Sequence, residues 1–212
     1  MRRFRWLFVA FSLFLVIPSG AQAKGANACR HASKAAGVKI MARNGKAVVF
    51  RRKSLNVYGC TYRVHKVRRL DTCCTDIKYK VAGVYAGYAA SGSAIGDESS
   101  KVGVFDLRTG KQRIGEVETE GFVTAWRLAA SGGIAWIQSN HHPNTGEDPG
   151  PGEYGPDQDL RAAVVRHPAP RVVDTGSTDN MGGGLAKLGL KSGVLTWTNA
   201  GEKKTAKLDG SQ

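Results

Sequence analysis

Acidic residues are missing from one whole stretch of this chain. Residues 24–70 contain 13 Lys/Arg and no Asp or Glu, and the first acid is Asp71. Residues 71–212 hold 15 basic and 17 acidic residues, so the excess charge sits in the N-terminal quarter. Long apolar runs are also scarce. The longest, Trp6–Ile17, has 12 residues, short of the ~20 that a membrane-spanning helix needs. Outside it no segment shows helical periodicity, so no helix is expected beyond the N-terminal leader. G-x-S-x-G, H-E-x-x-H and S-x-x-K are all absent, which leaves a hydrolase reading without a motif. Gly182-Gly183-Gly184 is followed by neither Lys-Ser/Thr nor a helix pattern and is not a phosphate loop.

What is present begins with an address. Arg2, Arg3 and Arg5 precede the apolar run, and Ala21-Gln22-Ala23 ends it as an A-x-A cleavage site. Residues 1–23 are read as a cleaved signal peptide, and residues 24–212 as a single secreted, periplasmic or cell-envelope domain of net charge +11.

The four cysteines fit an oxidising compartment. They lack the paired C-x₂-C spacing of a zinc site. Cys73 and Cys74 are adjacent, so each is expected to take a distant partner. A hairpin of Val57–Val64 and Val67–Leu70 turning at His65-Lys66 would set Cys60 near Cys73. The expected bonds are Cys60–Cys73 and Cys29–Cys74, with the swapped pairing as the alternative.

A glycine followed four or five residues later by an aromatic recurs four times: Gly45/Phe50, Gly83/Tyr88, Gly132/Trp136 and Gly193/Trp197. The aromatics are spaced 38, 48 and 61 residues apart. Setting aside the Ser/Gly-rich stretch Ser91–Ser100 and the 20-residue loop 140–159 brings every unit near 40 residues. The first unit reads as strands Val38–Ala42, Lys46–Arg51, Val57–Val64 and Val67–Leu70. The second reads as Ile77–Ala82, Gly83–Ala90, Lys101–Leu107 and Gln112–Val117, the last two joined at Gly110 by a short hairpin loop. The third reads as Phe122–Ala130, Gly133–Ser139, Leu160–His167 and Arg171–Asp174. The fourth, Leu185–Leu190, Val194–Thr198 and Lys203–Leu208, lacks its fourth strand. Trp126, Trp136 and Trp197 are read as core. The fold class is all-β: a small or partial β-propeller of about four antiparallel four-stranded blades, with a single β-sandwich as the alternative.

The units Gly83–Val117 and Gly132–Asp174, with Val104-Phe105-Asp106-Leu107-Arg108-Thr109-Gly110-Lys111, resemble TolB-type and WD-like β-propeller repeats of exported bacterial proteins. In those repeats a G-x-h-h-A-W/Y strand precedes an h-x-h-x-D-h-x-T-G-K hairpin. The resemblance spans most of residues 38–208 and departs in having about four units, the last truncated. It implies binding or scaffolding more than catalysis, with no fixed catalytic residues.

Function is therefore sought in charge. Arg51, Arg52, Lys53, Arg63, Lys66, Arg68 and Arg69, with Tyr58 and Tyr62 among them, are expected to attract an anionic polymer, a membrane surface or an acidic protein. Specific nucleic-acid recognition is not expected of an exported chain. The plain alternative is a solvated, solubilising face. His141, His142, Glu147, Asp148, Glu153, Asp157 and Asp159 crowd the long loop, but match no metal-site spacing, and four prolines favour a simple acidic loop. No cofactor and no metal are expected. The leading expectation is a non-enzymatic exported binding or scaffold protein. Behind it stand a hydrolase or lyase with a site near the 140–159 loop, and an interaction module whose open blade edge pairs with another chain.

Overall fold

The structure, a computed structural model, describes residues 28–53, 56–64, 66–70, 77–92, 99–119, 121–139, 157–177 and 184–209. Among these residues fifteen strands form four antiparallel sheets, each a meander in chain order. Sheet 1 has β1 (Lys39–Arg43), β2 (Ala47–Arg51), β3 (Val57–Thr61) and β4 (Arg68–Leu70). Sheet 2 has β5 (Ile77–Ala82), β6 (Tyr85–Gly92), β7 (Ser99–Asp106) and β8 (Lys111–Thr119). Sheet 3 has β9 (Val123–Leu128), β10 (Ile134–Ser139), β11 (Gln158–Val164) and β12 (His167–Gly176). Sheet 4 has three, β13 (Ala186–Lys191), β14 (Val194–Asn199) and β15 (Glu202–Lys207), without a fourth strand among the described residues.

The recurring glycine–aromatic signature becomes the first hairpin and second strand of each sheet. Gly83, Gly132 and Gly193 sit in the hairpin turns with φ of +59°, +90° and +79°, the left-handed region that a side chain disfavours. β2, β6 and β10 are apolar on both faces because both are covered, β6 and β10 by neighbouring sheets and β2 by sheet 2 and α1, whereas β14 leaves Val194 and Thr196 exposed. In β10, Ala135 and Ile137 pack with Leu195 and Trp197 of sheet 4, while Ile134 and Trp136 pack with Val102 and Ile114 of sheet 2. In β2, Ala47 and Val49 meet Tyr79 and Tyr88 of sheet 2. Trp126, Trp136 and Trp197 are buried core residues, as expected.

The sheets follow one another through their first strands: β1 touches β5, β5 touches β9, and β9 touches β13. Polar staples mark these junctions. The Asn44 carboxamide donates to the Val81 and Gly83 carbonyls at 3.3 and 3.1 Å. The Val123 N–H donates to Ser100 Oγ at 3.2 Å, and the buried Leu185 N–H donates to Gln158 Oε1 at 2.6 Å.

Three expectations are corrected. A short helix, α1 (Ala28–Lys34), lies where none was expected. At seven residues it is too short to hold itself in water, and it rests on sheet 1 through Cys29 and Ala32 against Val48, Phe50 and Cys60. The disulfide is Cys29–Cys60, not Cys60–Cys73 or Cys29–Cys74, and it excludes the swapped pairing too. The reason is strand register. β4 pairs Leu70 with Val57 and Arg68 with Gly59, four residues off the expected hairpin. The chain therefore leaves β4 beside Val57, and Cys60, farther along β3, joins the cluster beneath α1 instead. Cys73 and Cys74 lie outside the described residues. Finally, β11 starts at Gln158, so Asp159 belongs to a strand and not to the 140–159 loop.

Candidate anion-binding surfaces

The first strands carry the chemistry. β1 supplies Lys39 and Arg43, β5 Lys78 and Lys80, β9 Arg127, and β13 Lys187 and Lys191; none of the four strands contains an acid. Each of them pairs with one strand of its own sheet and leaves the other edge toward its counterparts. Seven cations are thereby gathered along one run of neighbouring strands. Five are exposed, Lys80 and Arg127 are half-buried, and none forms an ion pair among the described residues. Lys187 holds φ of +54° beside an irregularity between Ala186 and Gly189, a bulge of the kind that re-aims a side chain.

A cleft of about 590 Å³ opens between sheets 2 and 3, lined by Lys78, Lys80 and Ala89 on one side and Val123, Trp126 and Arg127 on the other. Lys80 Nζ donates to the Trp126 carbonyl at 2.5 Å, and Arg127 Nη1 donates to the same oxygen at 2.9 Å. The ammonium also lies 4.2 Å from the Trp126 ring centroid, a cation–π contact. Two cations thus converge on one neutral oxygen. Burial first, and the Arg127 charge second, hold the Lys80 pKa below its ordinary value. Keeping Lys80 protonated there costs stability, since a desolvated ammonium beside a like charge disfavours the charged form.

A second cleft, about 470 Å³, lies between α1 and sheet 1 and is lined by Arg30, Lys34, Arg43, Ile40, Val48 and Tyr62. The Arg30 guanidinium stands 5.5 Å over the Tyr62 ring. These lining residues likewise include no acid.

The seven cations singled out from the sequence do not form one patch. Arg51 ends β2 and Arg52 and Lys53 follow it, at the end of sheet 1 where Val57 and Leu70 pair, and Arg69 lies toward the same end opposite Tyr58. Arg63 and Lys66 are in the β3–β4 connection at the opposite end, about 13 Å of strand away. Arg52 packs its guanidinium over Tyr58 at 4.5 Å and Phe50 at 6.0 Å. Arg68 is half-buried, its stem against Gly110, and its Nε has no hydrogen-bond partner among the described residues. His141, His142, Glu147, Asp148 and Glu153 lie outside the described residues. Asp159 is engaged by Arg161 at 2.9 Å. Among the described residues no group of His, Cys, Asp and Glu is arranged to hold a metal.

No protein-family model matches the chain, and no curated protein does. Among solved structures it is similar to the computationally designed Ika4 protein, at 12% identity over 80% of this chain and 91% of that one, with a TM-score of 0.43. It is also similar to the computationally designed Ika8 protein, at 14% identity over 79% of this chain and 45% of that one, with a TM-score of 0.44. Likenesses this distant say nothing of function.

Sequence reasoning missed the first-strand row because its charges are spread over 153 positions, from Lys39 to Lys191. A contiguous basic block stands out along the chain, whereas a row built from one strand per unit does not. Stacking the four units and comparing first strands would have found it.

Proposed function

We propose that the protein is an exported, non-enzymatic binding or scaffold protein whose basic surfaces receive an extended anionic partner: an anionic polymer, a membrane surface or an acidic protein. The observation that carries this reading is the row of seven first-strand cations, on strands without one acid and with no ion pair among the described residues. A single-signed row on adjacent strands sums to a field that draws polyanions and makes binding fall steeply with salt. The cations of sheet 1, from Arg51 to Arg69, extend that field outward.

Four meandering sheets whose first strands meet in chain order favour a small β-propeller-like arrangement. Among the described residues the far face of sheet 1 is covered by α1 and not by sheet 4, which suits an arc more than a sealed ring. Export is supported by the Cys29–Cys60 bond and by the Arg2–Ala23 leader pattern. Among the described residues no helix is long and apolar enough to cross a membrane. Among the described carboxylates, Asp106, Asp159 and Asp174 are each held by an arginine or lysine, so these three offer no support to an acid–base site.

The test is sedimentation with phosphatidylglycerol vesicles and with polyphosphate across a salt series. Binding should weaken by about tenfold or more between 50 and 200 mM salt, as expected for several released counterions. Lys39, Arg43, Lys187 and Lys191 changed together to Gln should weaken it further than Arg51, Arg52, Arg68 and Arg69 changed to Ala. Failure to bind either anionic surface at low salt would overturn the reading.

A further inference from the structure

We infer that the cleft between sheets 2 and 3 is a discrete site for a small organic oxyanion, whose carboxylate or phosphate head meets Lys78, Lys80 and Arg127 while its apolar part lies against Ala89, Val123 and Trp126. This goes beyond an extended polyanion, because a cleft of about 590 Å³ is large enough to hold one small molecule. It falls in the range of roughly 300–1,000 Å³ typical of small-molecule sites.

The donor count points to a missing acceptor. A carbonyl oxygen has two lone pairs, and Trp126 O already receives Lys80 Nζ and Arg127 Nη1. An ammonium has three donors and a guanidinium five, so most of this capacity is still free to meet an oxyanion. Neither cation forms an ion pair among the described residues. Lys78 adds a third charge on the same face of β5, two residues from Lys80. A solvated lysine would normally extend into water. Lys80 instead folds back over the Trp126 ring and stays half-buried beside Arg127. Both influences that lower its pKa, burial and the like charge of Arg127, would be offset by an anion in the cleft. Beyond the charges, Ala89, Val123, Ala125 and Trp126 give the walls an apolar part beside Thr124 and Tyr79, which favours an anion with a hydrocarbon body over a bare inorganic ion.

Isothermal titration of the purified protein with phenyl phosphate, phenylacetate and neutral phenylacetamide tests this. The expected result is saturable binding of at least one oxyanion with none of the amide; the tighter head identifies phosphate or carboxylate as the natural group. Lys80→Gln and Arg127→Gln should each weaken it by about tenfold, while Arg51→Gln leaves it unchanged. Should Lys80→Gln not fold, Lys78→Gln and Arg127→Gln decide. Absence of binding by both oxyanions at about 10 mM, an affinity near the weakest practical limit, overturns the site. Equal binding of the amide, or affinity unaltered in Arg127→Gln and Lys78→Gln, overturns it too. The four-residue variant at Lys39, Arg43, Lys187 and Lys191 should keep this binding, so the vesicle result and this one can fail separately.

Discussion

Asp174 of β12 accepts a 2.7 Å hydrogen bond from the Trp197 indole N–H of β14, across the junction of sheets 3 and 4. The same carboxylate accepts from Asn199 Nδ2 at 3.0 Å and faces Lys204 Nζ at 3.2 Å. Burial works to raise the Asp174 pKa, but hydrogen bonds from Trp197, Asn199 and Lys204, with the Lys204 charge, outweigh it and hold it below 3.8. Trp197 is one of the four repeating aromatics, and its ring packs in the core shared by sheets 3 and 4. One carboxylate thus fixes the polar end of the side chain whose body joins the last two sheets.

Removing that carboxylate should be felt at the junction. Asp174→Ala strands the Trp197 N–H and leaves the Asn199 amide only its bond to the Thr175 carbonyl, and charge-assisted hydrogen bonds of the kind lost contribute roughly 1.5–3 kcal/mol. Urea unfolding is expected to show a loss in that range, with Asp174→Asn losing less because an amide oxygen still accepts. A loss below about 0.5 kcal/mol would show that Trp197 is held by packing alone.

Acid should unfold the protein through the same groups. Asp106 is also held below 3.8: burial raises its pKa, but the Arg108 side chain, the Arg108 N–H and the charges of Arg108 and Arg113 prevail. A carboxyl whose folded pKa lies below its unfolded one stabilises the fold above 3.8, and that stabilisation disappears as pH falls through the folded value. The urea midpoint should therefore drop steeply below about pH 4. The Asp106→Asn, Asp174→Asn double variant should start lower and lose less.

The Cys29–Cys60 bond closes a sequence separation of 31 residues. Chain-entropy reasoning gives such a crosslink about 3–4 kcal/mol. Cys29→Ser should lose about that much and expose the face of Val48 and Phe50 as α1 comes away. Non-reducing peptide mapping should recover Cys29 joined to Cys60; a fragment joining Cys60 to the Cys73-Cys74 peptide would refute the register argument.

The strands were legible because each is set by local rules. All fifteen expected strands exist, several within a residue or two, since turns at Gly83, Gly110, Gly132 and Gly193 and apolar second strands are written into short segments. α1 was not legible: a helix of under two turns shows no period, and its stability comes from Phe50, Val48 and a bond to a distant cysteine. The cysteine pairing failed with it, because the offset of β4 against β3 depends on what lies beneath Gly59, where Leu70 and Leu107 meet. The basic block around Arg51 was visible as composition. The convergence of Lys80 and Arg127 on Trp126 was not, since it needs two sheets to meet.

Among the described residues sheet 4 ends on β15, an edge strand carrying Lys203, Lys204 and Lys207. Lysines on an edge strand resist addition of another strand, because a docked chain would bury or crowd their charges. The wild-type protein should therefore stay monomeric in sedimentation velocity at about 100 μM, where an affinity of roughly 5 kcal/mol would already show. Lys203→Thr with Lys207→Val should bring concentration-dependent association. A wild-type dimer abolished by charge at this edge would reverse the argument and favour the open-edge interaction module.

The turn after β14 offers a gain in stability without touching any contact. Asn199 pairs with Glu202, so Ala200-Gly201 is a two-residue hairpin loop, with φ of +48° and +83°. Both central residues are left-handed, as a type I′ turn requires, and Asn-Gly suits that turn best. Alanine in this region is strained by roughly 1–2 kcal/mol relative to its right-handed form. Ala200 is exposed, so substitutions there act through the backbone. Ala200→Asn should stabilise the protein by about 0.5–1 kcal/mol. Ala200→Gly should gain less, because glycine also frees the unfolded chain. Ala200→Val should destabilise by about 1 kcal/mol or more, since a β-branched residue tolerates positive φ worst. Thermal unfolding ranks the three, and a valine variant as stable as the parent would show that the turn is not held left-handed in solution.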